Sequence, residues 1–445
     1  MEEVLNDLKA WLRIASVSAN PMAAPQVREA AEFTAQLFQK AGLENVRLIE
    51  GNGNPLVAGD WLHAPGKPTL LCYGHYDVQP AEPLELWRTP PFEPTVIGDN
   101  LYARGAADDK GLALILIEAV GAYLRHGRAL PVNVRFLFEG EEESGGDHIS
   151  EYLQAHKEEL ACDAALICDT EMFAPELPTI CVGLRGIVYA ELKVQTGETD
   201  LHSGSYGGAV PNAVELAAWL MSQLKDKEGR VRIPGFYADV LEPSAAELAS
   251  WEALPFDAKA YQETEAKVFY LHGEPEYGVL QQSWARPTLE THGIAGGFTG
   301  EGAKTVIPCE ALVKLSCRLA PGQEPERIGY LLSQALQSLA PEGAKLTLNV
   351  LHGAKASVVD PASPFIAEAS EAMSEVFGQR TVYTRSGGSI PIVGLFQTAL
   401  GVPSVMTGFG LPDDNLHAPN EKVYLPNVYR GIKALVRYFE RLGAL

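Results

Sequence analysis

The sequence predicts an α/β protein: a doubly covered, mainly parallel sheet with a smaller α+β domain inserted into it. Three observations predict this. The apolar runs at 69–73, 132–138 and 164–168 are too short for helices and read as strands buried on both faces. Amphipathic helical patterns alternate with them, which implies parallel strands joined by crossovers. From about residue 187 the pattern changes, and it resumes its first character near 363. The chain of 445 residues is too long for one core. The expected division is 1–186 and 353–445 for the main domain, with 187–352 inserted.

Taken in order, residues 3–13 pattern as a short amphipathic helix. A clearer one follows at 25–41, where Val27, Ala30, Ala31, Thr34, Leu37, Phe38 and Ala41 share a face and Gly42 ends it. Strands near 45–50 and 55–60 precede the run 69–73. The proline-rich stretch 80–99 has no periodicity and reads as a loop that Trp87 and Phe92 pack down. A helix is expected at 111–126. In the inserted part, strands are expected at 187–195, 288–298, 306–320 and 344–350, with helices at 211–224 and 325–339. Residues 229–285, with several prolines and both charge signs, read as an irregular insertion. A helix at 363–377, a strand at 402–406 and a helix at 427–441 complete the main domain.

Hydrophobic content of 46% and charged content of 21% describe a soluble globular protein. A formal net charge of -22 argues against nucleic acid or an anionic membrane as partner. No apolar run reaches the length of a membrane span. The six cysteines are scattered without a CxxC pair, which favours reduced thiols in a cytoplasmic protein. Met1-Glu2-Glu3 is acidic and leads into a helix, so no signal peptide is expected.

The chemistry lies at the carboxyl ends of the buried strands. After 69–73 come Gly74, His75 and Asp77; in extended geometry both side chains leave by one face, a spacing that suits a ligand and the group that orients it. The strand 132–138 ends in Glu139-Gly140-Glu141-Glu142-Glu143, and 164–168 delivers Asp169. Asp108 and Asp109 open the helix at 111; one aspartate can cap it, which leaves the second without a role. Strand ends of a parallel sheet share an edge, where α/β proteins place active sites. So many carboxylates there repel unless cations lie between them. HExxH, GxSxG, GxGxxG and P-loop motifs are all missing, which weakens zincin, serine-hydrolase and nucleotide-binding readings.

The ordered set Gly74-His75-Tyr76-Asp77-Val78-Gln79-Pro80, Arg104–Gly111, Glu139–Gly145, Cys168-Asp169, Gly183-Leu184-Arg185-Gly186, Asp200-Leu201-His202-Ser203-Gly204, Thr384–Pro391 and His417–Lys422 resembles a known family. It is that of the two-metal metallopeptidases: carnosinases and other cytosolic dipeptidases, carboxypeptidase G, acetylornithine deacetylase and succinyl-diaminopimelate desuccinylase. The dipeptidase branch is the most similar. The resemblance implies that His75, Asp108 and Asp169 hold one divalent metal ion and Asp108, Glu143 and His417 a second, Asp108 bridging. It implies Asp77 as orienter of His75 and Glu142 as general base towards a water between the metals. Zinc suits this ligand set, with manganese the alternative. The inserted segment is implied to be a lid and dimerisation domain of a homodimer, with His202 reaching across to the developing oxyanion; a turn histidine before Ser203-Gly204 is the competing reading. Arg318 is implied to bind the substrate carboxylate, with Gly387, Gly388 and Ser389 offering backbone and hydroxyl groups beside it. Ser386 stands where carnosinase-like members often carry an acidic residue, which leaves dipeptide and N-acyl amino acid both open as substrates. An amino-acid deacylase or carboxypeptidase is therefore the alternative enzyme, and a peptide-binding homologue without catalysis the alternative of another class.

Overall fold

The computed structural model describes residues 2–388 and 390–445 of the chain. It forms two compact units, one of residues 2–182, Val359–Thr384 and Leu395–Leu445, the other of Gly183–Val358 and Arg385–Gly394.

The first unit is built on a mixed sheet. Its main strands are β1 (Glu44–Ile49), β2 (Leu56–Trp61), β3 (Thr69–His75), β4 (Asn133–Glu139), β5 (Ala164–Glu171), β6 (Thr179–Leu184) and β7 (Ser404–Gly410). Their spatial order is β1-β2-β4-β3-β5-β7-β6. The central strands β4, β3, β5 and β7 run parallel, and the flanking pairings are antiparallel. Register sets the site: His75 lies opposite Glu139, and Tyr73 opposite Ile167, so three strands end at one level. Every residue of β3 from Leu70 to His75 is buried, so both faces of this part of the sheet are covered.

Helices α1 (Glu2–Leu12), α2 (Ala24–Ala41), α3 (Lys110–Leu124), α4 (Pro364–Phe377) and α5 (Leu425–Gly443) pack side by side and against these strands. α3 is apolar all round and is enclosed along most of its length, as a helix between a sheet and other helices must be. α2 buries the face read from its periodicity and ends at Gly42, whose φ of 95° is left-handed.

The second unit is an antiparallel sheet ordered Thr288–Gly296, Glu310–Leu319, Gly186–Gln195, Lys345–Ala354. Helices Ala213–Leu224 and Pro325–Leu339 cover one face, closing a core that includes Val188, Leu192, Val313, Leu315, Leu220 and Leu332. The opposite face carries Tyr189 stacked between His292 and His352.

Two expectations are corrected here. The strand read over 306–320 is interrupted at Pro308, giving Val306–Ile307 and Glu310–Leu319, because proline cannot donate to the ladder. The stretch 229–285 is not irregular throughout: it contains helices Ala245–Glu252 and Val279–Trp284. The first starts at a capping box in which Ser244 accepts from the Glu247 amide and Glu247 accepts from the Ser244 amide.

Candidate metal centre

The site is assembled in the first unit from strand ends and two loops. His75, the last residue of β3, is fully buried. Its Nδ1 faces Asp77 Oδ1 at 3.3 Å and the Asp77 carbonyl at 3.2 Å, which leaves Nε2 facing Asp108 Oδ1 at 3.1 Å. Across the same carboxylate, His417 Nε2 lies 2.9 Å from Asp108 Oδ2 and 3.4 Å from Glu143 Oε2. Asp108 thus turns one oxygen to each imidazole. Ligand atoms of His75, Asp108 and Asp169 lie within 4.8 Å of one another, and so do those of Asp108, Glu143 and His417.

Neighbours orient these groups. Asp77 Oδ2 accepts from the Ser18 hydroxyl at 2.6 Å and from the Glu143 amide at 3.1 Å. Gln79 Nε2 donates to Glu143 Oε2 at 2.7 Å, whereas Glu143 Oε1 is buried with no hydrogen-bond partner among the described residues. The second aspartate of the helix start, Asp109, makes no side-chain cap; its Oδ2 accepts from the His75 amide at 3.1 Å. Sequence reasoning gave no role to Asp109, Ser18, Gln79, Arg104 or Glu421. Gln79, Arg104, Asp109 and Glu421 lie within the motifs quoted above, whereas Ser18 lies in none.

Burial is the chief cause that raises the pKa of Asp109, Glu142, Glu143 and Asp169, with neighbouring carboxylates adding to it; Glu143 is held up at about 8. Burial also lifts Glu139 to about 8, although the Tyr73 hydroxyl donates to it at 2.7 Å. Burial alone would raise Asp108 and lower His75. Hydrogen bonds between them, and from His417 to Asp108, reverse both: Asp108 falls below the carboxylate range and His75 rises well above the imidazole range. A dense, half-neutralised set of buried carboxylates and imidazoles with an orphaned Glu143 oxygen is what a hard or borderline divalent cation completes.

Of the other residues singled out, Arg318, His202, Gly387 and Gly388 belong to the second unit. Arg318 lies in Glu310–Leu319 opposite Thr288 and Ile187. His202 is exposed, and its Nδ1 accepts from the Gly204 amide at 3.0 Å. The Gly388 amide donates to Ser386 Oγ at 3.1 Å, and Arg185 Nε donates to the Gly387 carbonyl at 3.1 Å. Ser389 lies outside the described residues.

Residues 71–441 match Peptidase family M20/M25/M40. The chain belongs to this family. It is a metal-dependent peptidase, and it binds divalent metal. It is 32% identical to the Cys-Gly metallodipeptidase dug1 of Schizosaccharomyces pombe, the alignment covering 100% of this chain and 96% of that one. It is 30% identical to the Beta-Ala-His dipeptidase of Rattus norvegicus, covering 100% and 94%. Among solved structures, the M20 family metallo-carboxypeptidase Sso-CP2 from Sulfolobus solfataricus superposes with a TM-score of 0.89 at 31% identity, covering 100% of both chains. Among the described residues no helix is long and apolar enough to cross a membrane.

Proposed function

We propose that this M20 enzyme hydrolyses the peptide bond of dipeptides and other very short peptides, with two zinc ions per chain. One observation carries the reading: the Asp108 carboxylate divides its oxygens between two imidazoles, each backed by a further carboxylate. In this reading His75 and Asp169 hold one ion, Glu143 and His417 the other, and Asp108 both. Ions bound there would lower the pKa of a water molecule and polarise the scissile carbonyl. Asp77 holds the proton of His75 on Nδ1, which leaves the Nε2 lone pair free to ligate. Glu142, raised by burial, is poised to take a proton from the attacking water and pass it to the leaving amine as the C–N bond breaks.

Arg318, Gly388 and Ser389 are assigned to the substrate carboxylate, and the second unit to lid and dimer contacts in a homodimer. Six free cysteines fit a cytoplasmic enzyme. Similarity to two dipeptidases along the whole chain supports the substrate class. Ser386 and the likeness to Sso-CP2 favour a second reading, carboxypeptidase or N-acyl amino-acid deacylase action at the same site. Assay of the metal-loaded enzyme against a dipeptide library, longer peptides and N-acetyl or N-succinyl amino acids decides between them. Turnover of dipeptides at least about tenfold above the acyl amino acids is expected; the reverse ranking overturns the dipeptidase reading.

The centre also predicts how metal and stability depend on pH. A carboxylate whose pKa rises on folding favours the fold at low pH, and that contribution is lost as pH climbs towards the folded value. For Glu139 and Glu143 the loss runs from about 4.5 to about 8. His75 and His417 are raised as well and lose their contribution in the same direction, from about 6.5 upwards. Asp108, lowered, contributes fully above about 3.8 and adds no slope at neutral pH. Metal-free protein should therefore lose thermal stability between pH 5.5 and 8, and metal should raise Tm more at the higher pH. Thermal denaturation of chelated and reloaded protein checks this; an increment independent of pH contradicts it.

A further inference from the structure

We propose that the buried pair Arg104–Glu421, which touches neither ion in the reading above and rests on that reading, is the brace that sets the spacing of the metal ligands. Both side chains are enclosed, Arg104 at 1% and Glu421 at 0% exposure. Arg104 Nη1 donates to Glu421 Oε2 at 2.6 Å. Its Nη2 donates to the Pro80 carbonyl at 3.1 Å and the Ala418 carbonyl at 3.3 Å. Glu421 Oε2 accepts from the Gly105 amide at 2.9 Å, and Oε1 from the amides of Ala107 at 2.9 Å and Asp108 at 3.1 Å.

One ion pair therefore joins three segments that are distant in sequence: the one after His75, the one that presents Asp108, and the one that follows His417. The hold on Asp108 is direct, through its own amide, and Ala418 is the residue next to His417. Further contacts stiffen the same junction. Trp87 lies face-on to the Arg104 guanidinium at 5.5 Å, and Asn420 accepts from the Arg88 amide at 2.7 Å and donates to the Leu86 carbonyl at 2.9 Å.

A buried ion pair is a weak source of net stability, since desolvation cancels most of the attraction. What it offers here is direction: a planar guanidinium with fixed donors and a carboxylate with fixed acceptors, six bonds converging on the backbone and on each other. Side chains behind metal ligands govern affinity by about 10- to 100-fold in other metal sites. The brace acts one step further back, on the backbone that carries Asp108 and His417.

The test is cobalt(II) titration of chelated protein, read by its visible spectrum, for wild type, Glu421→Gln and Arg104→Lys. Glu421→Gln keeps the shape but sets an amide NH2 against donors, either those of Arg104 and Gly105 or those of Ala107 and Asp108. Arg104→Lys keeps the charge but cannot reach three acceptors at once. Both should bind cobalt about tenfold or more weakly and with an altered spectrum, and excess metal should recover part of the lost kcat. Arg286→Lys, in the buried Arg286–Glu274 pair of the second unit, is the control: it should lower Tm and leave cobalt affinity unchanged. If either folded brace variant binds cobalt with wild-type affinity and spectrum, the brace is refuted. If Arg286→Lys weakens cobalt as much as they do, the effect is general destabilisation and the brace is refuted too. Absence of cobalt binding by the wild type would instead refute the metal reading on which it rests.

Discussion

Glu142→Gln should lose at least about 10³-fold in kcat while still binding its full complement of metal. The expectation rests on a difference between the two neighbouring glutamates. Glu143 takes a hydrogen bond from Gln79, faces His417 and leaves one oxygen without a partner, the pattern of a ligand. Glu142 is in neither cluster of ligand atoms, and burial raises its pKa, which suits a group that must both accept and release a proton near neutrality. An amide of the same shape cannot take the proton. Asp108→Ala gives the contrast: it removes the carboxylate shared by both clusters, so metal and activity should fall together. Metal analysis beside turnover measurements separates the cases. A Glu142→Gln enzyme keeping more than about a tenth of wild-type kcat, or one that has lost its metal, would show that Glu142 is not the base.

Much of this was readable because it is periodic or local. The strands that deliver His75, Glu139 and Asp169 announce themselves as short apolar runs, and a parallel sheet with central strands β4, β3 and β5 places their ends side by side. The ion pair Arg104–Glu421 was not readable: each residue lies in a motif of its own, but the two are 317 residues apart and nothing local joins them. Asp109 illustrates a different gap. Its position suggests a helix cap, yet the free amide of His75 at the end of β3 competes for the carboxylate and wins. Helix Ala245–Glu252 was missed although Ser244 and Glu247 spell a capping box, because the prolines around it outweighed that signal. Tertiary hydrogen bonds leave no trace in local composition, and most of what holds the ligands in place is of that kind.

Loss of His202 should cost about 10²- to 10³-fold in kcat, and mixing with a second defective chain should return activity. The structure shows a local job for this residue, since Nδ1 accepts from the Gly204 amide and caps the turn that follows. That job also fixes the tautomer. With Nδ1 accepting, the hydrogen of the neutral ring sits on Nε2, and the exposed side chain presents an outward donor. A donor of this kind is what an oxyanion needs, and the resemblance to the dipeptidase family suggests that it serves the partner subunit. Two substitutions separate capping from catalysis. His202→Asn can still accept from the Gly204 amide but lacks the Nε2 donor, so its stability should stay near wild type while kcat falls as far as in His202→Ala. Homodimers of His202→Ala and of Glu142→Ala should each be nearly inactive. In a heterodimer of the two, one site combines both defects, while the other has an intact Glu142 and receives an intact His202 from its partner. Activity should then approach half the wild-type rate per heterodimer. Subunit exchange without recovery, a fully active monomer, or a His202→Asn enzyme with wild-type kcat would each return His202 to the role of a turn cap.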